Sequence, residues 1–562
     1  MVSKLLSSIQ KRSESIHSAA LILIIFSFIS QFLGLIRDRA LVSYLGPSLP
    51  LDVYYAAFRI PDIIYATVAS LVAVTAIMPF LKERLSTGGT DDGRKFLSNL
   101  ISAFSVVMLA VVVLAFILMP LLVPFVAPGF PEEGRLQLIT MSRVMLLSPL
   151  LLGFQNLFAS ITQYHRKFFI FALAPVLYNL GLIAGIVFLY PMFGTIGLAW
   201  GVVLGALLHL LIHLVTAMSL GYTPHMSPFV NWKEIRTVAA TSFPRTITLT
   251  LAAITVFFMT SIASTLNEGS ISLFTFAINI ATFPIGLIGL SFAVAAFPTL
   301  VDTWKSENTA RFLDVLQNVA RHIIFWSLPL SVLFIVLRAH IVRVVYGTIN
   351  LSWTDTKILA ATLAILAVSI TSYSLLLLFI RAYYAAGQTR KPFWISLSAL
   401  IGTIVLTFTF LELFQNSPGF RYAITRPFNV APEDGAVLTL AMAYTSGYLI
   451  SLVLMWRQFR RDFGKGSLNR ILVSFSKTAI ASIVGGVATY GVLLLFSPLG
   501  DLETFTQVLT QGFLAGLGGA IVMIGALYVL KSEELMSFVH KTLKRKVEGP
   551  VEAGVVHEES HI

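Results

Sequence analysis

Long apolar runs separated by short polar stretches fill almost the whole chain of 562 residues. Fourteen of these runs reach about 20 residues, the length that a helix needs to cross a bilayer. None of them alternates apolar and polar residues with a period of two, so the pattern predicts helices and argues against a membrane barrel. The predicted spans are 17–38, 53–81, 97–126, 136–163, 168–190, 193–219, 238–265, 270–299, 319–346, 357–385, 392–413, 436–457, 470–497 and 505–530.

Composition supports a membrane protein. Apolar residues make up 56% of the chain and charged residues 12%, against about 25% charged residues in an ordinary soluble domain. This excludes a soluble globular protein, and the high hydrophobicity also excludes intrinsic disorder. The absence of cysteine excludes disulfides, thiolate catalysis and cysteine metal sites. A net charge of +12 would suggest nucleic acid in a soluble protein. In a membrane protein the location of the cations is more informative, and no nucleic-acid partner is expected.

Lysine and arginine concentrate in alternate predicted loops. The cation-rich stretches are 4–12, 82–95, 166–167, 233–236, 305–311, 390–391, 457–465 and 531–546. The intervening loops 191–192 and 266–269 have no cation, and 127–135 has only Arg135; loop 414–435, with Arg421 and Arg426, is the exception. Because short cytoplasmic loops carry the excess of Lys and Arg, both termini are predicted to be cytoplasmic.

Landmarks in the first half of the chain recur in the second half with an offset of about 220 residues, as expected for a duplicated lobe. The matching pairs are Pro79 with Pro298, Phe96 with Phe312, and Arg166 with Arg390. Six spans per lobe make the repeat parallel, and two such lobes commonly enclose a substrate site near the midplane. The predicted organisation is a cytoplasmic N-terminus (1–16), a first lobe (17–219), a cytoplasmic linker (220–237), a second lobe (238–457), an appended pair of spans (470–530) and a cytoplasmic tail (531–562).

Ionisable side chains inside spans are the best candidates for function, since each costs about 2.5–3.5 kcal/mol at a helix centre. They are Arg37, Asp38, Arg39, Asp52, Arg59 and Asp62 in the first lobe, and Arg245 and Arg381 in the second. Several guanidinium groups around a cavity suit phosphate, because the planar fork makes two parallel hydrogen bonds. The alternative is a helix-end cation that only reaches the interface. We favour this alternative for Arg39, leave both open for Arg381, and favour function for Arg59 and Asp62, in a span interrupted by Pro61.

The sequence indicates a transporter and not an enzyme. It contains no phosphate-binding glycine loop, no acidic Mg²⁺ cluster and no nucleophile paired with a base. His209 and His213 have a metal-ligand spacing but no third ligand nearby, which favours packing or hydrogen bonding. We therefore expect no metal and no cofactor.

Two motifs resemble one family. The run SQFLGLIRDRALVSYLG followed by LDVYYAAFRIPDII, residues 30–64, is similar to the opening of the MurJ (MviN) lipid II flippases of the MOP exporter superfamily. The run FIRAYYAAGQTRKP, residues 379–392, resembles a second motif of that family. The matching residues in the first motif are Ser30, Gly34, Arg37, Asp38, Asp52, Ala57, Phe58, Arg59, Pro61 and Asp62. Fourteen spans, two six-span lobes and an appended pair agree with the resemblance.

This resemblance implies a multi-pass protein of the bacterial cytoplasmic membrane that carries lipid II, or a similar polyprenyl-pyrophosphate glycan, across that membrane. The headgroup would pass through a cationic central cavity, and the polyprenyl tail would lie in a groove made by the last two spans. By this resemblance Arg37, Asp38, Asp52 and Arg59 would contact substrate. We add Asp62, Arg245, Asn279 and Arg381 as candidate substrate-binding residues, with Gly34 and Pro61 as structural members of the motif. A monomer among membrane lipids, with cell-wall synthesis proteins as further partners, is expected.

The chain departs from the family pattern at several cations. Members usually carry arginine where Gln31 stands here, and often one near Tyr65 and one at the position of Asn279. We hypothesise that Arg245 supplies the cation missing at Asn279; the alternative is a cytoplasmic-end arginine that only reaches the interface. The spans that hold sodium in some members offer mainly hydroxyls here, such as those of Thr246, Thr403 and Thr407. This argues against sodium coupling and leaves the membrane potential, which supplies about 2.3 kcal/mol per charge per 100 mV. The alternatives are an exporter of another polyprenyl-linked polysaccharide or of amphipathic drugs, and a non-transporting scaffold of the cell-wall machinery.

Overall fold

A computed structural model of the chain describes residues 16–72, 74–223, 225–227, 230–464, 469–496 and 504–537. The described part is helical and contains no β-strand. Its first half contains α1 (Ile16–Leu45), α2 (Leu49–Ala57), α3 (Arg59–Thr67), α4 (Val74–Thr87), α5 (Gly89–Val126), α6 (Glu132–Met145), α7 (Leu147–Tyr164), α8 (Phe168–Ala184), α9 (Tyr190–Phe193), α10 (Thr195–Ser219) and α11 (Trp232–Ala263).

The second half continues in the same way. It contains α12 (Ser270–Pro284), α13 (Ser291–Lys305), α14 (Thr309–Val336), α15 (Arg338–Tyr346), α16 (Trp353–Ala367), α17 (Ser369–Ala385), α18 (Arg390–Asn416), α19 (Pro418–Thr425), α20 (Ala436–Phe463), α21 (Asn469–Phe496) and α22 (Phe505–Val529). Short π-helical turns, Gly185–Leu189 and Ile285–Leu290, join α8 to α9 and α12 to α13 without a loop.

The predicted class, an all-helical membrane protein, is confirmed. Among the described residues, eleven helices are long and apolar enough to cross a membrane, or up to thirteen when two bent pairs are each counted as one span. The predicted count of fourteen is not confirmed, since α1, which contains the first predicted span, lies outside that number. The ninth predicted span, 319–346, lies nearer the N-terminus than expected, because its helix runs from Thr309 to Val336 and a separate helix begins at Arg338.

The second predicted span is divided into several helices. The first break lies between Ala57 and Arg59, although Phe58 itself keeps right-handed helical angles (φ −72°, ψ −23°). This break is within one turn of Pro61, whose missing N–H cannot bond to the carbonyl of Ala57, so it agrees with a span interrupted at Pro61. A separate bend of 46° lies between Thr67 and Ala69.

The chain forms two compact units. The larger unit comprises residues 1–283, 338–369 and 387–455, and the smaller unit comprises 284–337, 370–386 and 456–562. All candidate residues except Arg381 belong to the larger unit. The predicted division into two repeated lobes with an appended pair stays a prediction. Its ends at 1–15 and 538–562 lie outside the described residues.

Close helix contacts through glycine stabilise the larger unit. A Cβ added to Gly181 of α8 would lie 2.3 Å from the Cα of Gly205 in α10, and one added to Gly185 would lie 2.4 Å from the Cα of Gly201. Small residues at such crossings let two backbones approach, which is the main source of packing energy between helices in lipid.

In the smaller unit, α21 and α22 pack along each other. The segment that follows α22 is fixed to α14 by Arg321, whose Nε lies 2.6 Å from Glu534 and whose Nη2 lies 2.6 Å from Glu533. Burial alone would raise the pKa of Glu534, but hydrogen bonds from Ser532, Arg321 and Ser474 outweigh it and lower that pKa. The last described segment is therefore held by charge at its base.

Candidate functional site

The carboxylate of Asp38 joins three helices of the larger unit. Asp38 lies near the end of α1 and is 1% exposed. Its Oδ1 accepts hydrogen bonds from the Nε (2.8 Å) and Nη2 (2.6 Å) of Arg37 and from the Tyr55 hydroxyl (3.3 Å) of α2. Its Oδ2 accepts one from the Asn279 amide of α12 at 2.8 Å. Both oxygens are thus partnered, as a buried charge requires.

Arg37 and Asp38 therefore form a neutral pair. The Arg37 side chain is 19% exposed and lies 2.6 Å from the carboxylate. Asn279 contacts the same carboxylate through a neutral amide, so the residue at this position belongs to the cluster as predicted from the family pattern, although it contributes no charge. A net positive charge at the site must come from another residue.

Arg59 is the cation with unused hydrogen-bonding capacity. It is 9% exposed, and its Nη1 lies 3.7 Å from the Asp62 carboxylate, beyond hydrogen-bond distance. Its Nε is buried and has no hydrogen-bond partner within the described part of the chain. A buried donor left unsatisfied costs about 1–3 kcal/mol. The guanidinium is therefore prepared to receive an anion, and the half-exposed Asp62 only partly compensates its charge.

Arg59 and the Arg37–Asp38 pair lie in one neighbourhood. The Tyr55 hydroxyl donates to Asp38 at 3.3 Å, and Arg59 follows Tyr55 by four residues, about one helical turn, in the chain. The predicted residues of α1 and α3 are thus brought together around one tyrosine of α2. Sequence reasoning did not identify Tyr55, because a tyrosine among apolar residues in a span gives no distinctive signal.

The side chain of Asp52 caps the start of α12. It is 2% exposed, and its two oxygens accept hydrogen bonds from the backbone N–H groups of Gly269 (2.9 Å) and Ser272 (2.8 Å). Free N–H groups at a helix start favour an acidic partner. In return, the Glu268 carboxylate accepts a 2.6 Å hydrogen bond from the N–H of Leu49, the first residue of α2. Asp52 therefore positions a helix, and both its oxygens are occupied.

Three further contacts surround this reciprocal capping. The Arg39 guanidinium donates to the carbonyls of Val344 (2.7 Å) and Gly347 (3.0 Å) at the end of α15. The Asn350 amide donates to the Ser43 carbonyl at 2.6 Å. We call the contacts of Arg39, Asp52, Glu268 and Asn350 the outer latch, because these loops are predicted to be exported. Arg39 therefore caps a helix C-terminus, which is a structural role.

A second group of contacts lies near loops that are predicted to be cytoplasmic. The Nη2 of Arg84 in α4 donates to Glu234 of α11 at 2.8 Å, and the Asn99 amide of α5 donates to the other carboxylate oxygen at 2.7 Å. The Asn231 N–H donates to Asn99 at 2.8 Å. We call these four residues the inner latch. Neither Glu234 nor Asn99 stands out in the sequence, because polar residues are expected at span ends.

The remaining candidates are not part of this cluster as described. Arg245 lies in α11, but its side chain is outside the described residues, so its proposed replacement of a cation at Asn279 stays a prediction. Arg381 lies in α17 of the smaller unit and is half-buried. A Cβ added to Gly34 would meet only Asn179 at 3.9 Å, an ordinary contact, so packing does not require glycine there. The Nδ1 of His213 is hydrogen-bonded to the Thr162 hydroxyl at 3.0 Å, and the centre of its ring lies 5.9 Å from that of His209.

Known proteins share this sequence and this fold. The family model described as lipid II flippase MurJ matches residues 41–510. A probable lipid II flippase MurJ of Rhizobium tropici is 23% identical over 540 residues, covering 93% of this chain and 95% of the relative. One of Thermotoga maritima is 24% identical, covering 86% of this chain and 97% of the relative. The structural resemblances are equally broad.

A solved structure of lipid II flippase MurJ in an inward closed conformation has a TM-score of 0.70 at 21% identity, covering 90% of this chain and all of the other. An inward-facing multidrug resistance MATE family transporter of the MOP superfamily has a TM-score of 0.63 at 18% identity, covering 78% of this chain. These likenesses establish the fold that the chain shares with the two solved structures. Because the family model matches most of the chain, the predicted resemblance is confirmed, and the chain belongs to the lipid II flippase MurJ family.

Proposed function

We propose that this protein moves lipid II, or a similar polyprenyl-pyrophosphate glycan, across the bacterial cytoplasmic membrane by alternating access. Family membership supports the substrate class. The observation that carries the binding step is the buried Arg59 guanidinium, whose Nε has no partner among the described residues.

A pyrophosphate suits this arrangement. Its oxygens are strong acceptors that can bind the guanidinium with two parallel hydrogen bonds. Binding satisfies the free donor of Arg59, so the site gains energy that an uncharged headgroup cannot supply. Arg37 is already paired with Asp38, and Asn279 is neutral. Arg59, with its charge only partly compensated by Asp62, is the one cation of this cluster among the described side chains that is open to an anion. One such cation favours moderate affinity, which allows the headgroup to leave after transport.

The two latches support alternating access. The outer latch joins α1 and α2 of the first predicted lobe to α12 and α15 of the second, while the inner latch joins α4 and α5 to α11. Opening towards either side requires one set of contacts to break. Helix caps contribute about 1 kcal/mol each. The free energy needed to break the outer latch is therefore comparable to the roughly 2.3 kcal/mol released when one elementary charge crosses a potential of about 100 mV. The membrane potential is thus a sufficient energy source, with no cofactor and no sodium coupling.

The polyprenyl tail is proposed to lie along α21 and α22. Their outward side chains are apolar and exposed, including Val487 (69% exposed), Phe513 (65%) and Ile521 (62%). The charged contacts of Arg321 with Glu533 and Glu534 fix the base of this pair. The chain is expected to act as a monomer among membrane lipids.

Reporter fusions test the proposed orientation. Both termini are proposed to be cytoplasmic, because the cation-rich loops alternate along the chain. Fusions after residues 90, 230 and 463 should report a cytoplasmic position, and a fusion after residue 268 should report export. A cytoplasmic signal from the fusion after residue 268 would contradict the proposed orientation and would exchange the outer and inner faces.

Complementation tests the proposed function. The full chain, expressed in a strain depleted of its own lipid II flippase, should restore growth and should expose the precursor outside the membrane. Growth restored without an increase in exposed precursor would instead indicate a scaffold of the cell-wall machinery. No growth at a normal protein level would favour an exporter of another substrate.

A further inference from the structure

Loop 414–435, the predicted exported loop that is not poor in cations, contains two arginines with different roles. The Nε and Nη2 of Arg421 donate to the carbonyls of Phe414 (2.9 Å) and Gln415 (2.8 Å), so this residue caps the end of α18. Arg426 is exposed and makes no side-chain hydrogen bond or ion pair within the described part of the chain. The local fold therefore explains Arg421 but does not explain Arg426.

Arg426 faces a cavity that contains a second unpaired cation. The cavity has a volume of about 420 Å³ and is lined on one side by Lys357 of α16. Lys357 also lacks an ion pair within the described residues, and its Nζ lies 5.8 Å from the centre of the Trp353 ring. Neutral hydrogen-bonding side chains complete the lining, namely Thr354, Tyr422, Thr425 and Asn429.

No carboxylate lines the cavity, and none forms an ion pair with Lys357 or Arg426 within the described residues. Asp355 accepts a 2.6 Å hydrogen bond from the Ser352 hydroxyl in the capping box that starts α16. Glu433 and Asp434 follow Pro432 in the chain but do not line the cavity. The cavity is therefore positively charged and rich in donors, and its volume is within the range of about 300–1,000 Å³ found for ligand sites.

The loop that carries Arg426 is well packed. Thr425 is 1% exposed and its hydroxyl donates to the Arg421 carbonyl at 2.8 Å, while Val430 is 6% exposed. Asn429 adopts a left-handed conformation with φ 54°, which turns the chain around the cavity. Since the loop is already ordered, binding an anion there loses little conformational entropy.

Exposed aromatic residues place the cavity at a membrane surface. Trp353 and Tyr422, on either side of it, are 58% and 60% exposed. Exposed Trp and Tyr in membrane proteins concentrate at the level of lipid headgroups. A phosphate at that level would contact Lys357 and Arg426, and the attached chains would lie against the apolar surface below.

We propose that this cavity binds the phosphate of a membrane lipid, in the outer leaflet. Only the choice of leaflet rests on the proposed orientation. The phosphate can belong to an anionic phospholipid or to a polyprenyl phosphate, because both present the same oxygens to the two cations. This site is separate from Arg59, and its occupancy can be measured without transport.

Native mass spectrometry of the full-length protein in detergent tests the proposal. The probes are phosphatidylglycerol, undecaprenyl phosphate and, as a lipid without net charge, phosphatidylcholine. The double variant Lys357→Gln with Arg426→Gln should weaken binding of at least one anionic probe about tenfold, because it removes two charge-assisted contacts. Phosphatidylcholine binding should not change.

Two further variants keep the result interpretable. Lys357→Arg with Arg426→Lys preserves both charges and should bind like the parent, which excludes misfolding as the cause of a loss. Arg311→Gln removes an exposed cation of α14 that makes no side-chain hydrogen bond or ion pair with another described residue, and it should change affinity less than twofold. A loss for phosphatidylglycerol supports a bulk lipid as occupant, and a loss for undecaprenyl phosphate alone supports the carrier lipid. Unchanged binding of both anionic probes in the glutamine double variant would overturn the proposal.

Discussion

Replacing Arg59 with alanine is expected to abolish complementation while leaving the amount of protein in the membrane unchanged. The side chain makes no hydrogen bond through its buried Nε, and its Nη1 lies 3.7 Å from Asp62. Its removal therefore takes little from the fold but removes the cation best placed for a pyrophosphate. A charge-assisted bidentate contact contributes about 3 kcal/mol, which corresponds to a loss of more than about 100-fold in transport.

Matched variants separate charge from packing at this position. Arg59→Met keeps much of the length and apolar surface of the side chain and should be as inactive as Arg59→Ala. Arg59→Lys keeps the charge without the planar fork and should retain partial activity. Normal growth of Arg59→Met at the parental protein level would show that the charge of Arg59 is not needed.

A disulfide across the outer latch should stop transport until it is reduced. The chain contains no cysteine, so an introduced pair has no competitors. A Cβ built on Gly46 lies 3.5 Å from the Cβ of Asn350, within the range of about 3.5–4.5 Å that disulfides adopt. It also lies 2.7 Å from the carbonyl oxygen of Asn350. Gly46→Cys with Asn350→Cys should therefore form a disulfide after a small shift of the loop that relieves this close approach. The cross-linked protein should lose at least about 90% of its transport, since opening outwards separates these loops, and a reductant should restore it.

The single variants are the controls for this experiment. Gly46 has a φ of +62°, so a cysteine there costs about 1 kcal/mol or more. Replacing Asn350 also removes its hydrogen bond to Ser43. Each single variant should transport to a similar extent with and without reductant. Full transport by a quantitatively cross-linked protein would contradict an outer latch that opens in each cycle.

The sequence predicted local features more reliably than contacts between distant segments. The apolar runs predicted the helices, because span length and composition are set by the bilayer. The importance of Arg37, Asp38 and Arg59 was predicted from the cost of charge inside a span. The bonds that give Asp38 and Asp52 their partners join residues 241 and 217–220 positions apart. No local pattern encodes such pairs.

The features that the sequence did not predict have physical causes as well. The 46° bend lies between Thr67 and Ala69, beyond Pro61, where the sequence gives no signal for a bend. Arg39 was favoured as a helix-end cation at the interface, but its contacts with the C-terminal carbonyls of α15 were not predicted. Both outcomes depend on where neighbouring helices begin and end, which hydropathy does not specify to within a turn.

Translocation by the purified protein in vesicles tests the central claim most directly. Fluorescent lipid II is placed in both leaflets, and a membrane-impermeant quencher added outside reports the fraction that reaches the outer leaflet. With a membrane potential imposed, the parent protein should make nearly all of the fluorescent label accessible to the quencher. In vesicles with Arg59→Met, as in protein-free vesicles, about half of the label should stay protected in the inner leaflet. Equal accessibility with the parent protein and with protein-free vesicles, or full activity of Arg59→Met, would contradict transport through this site.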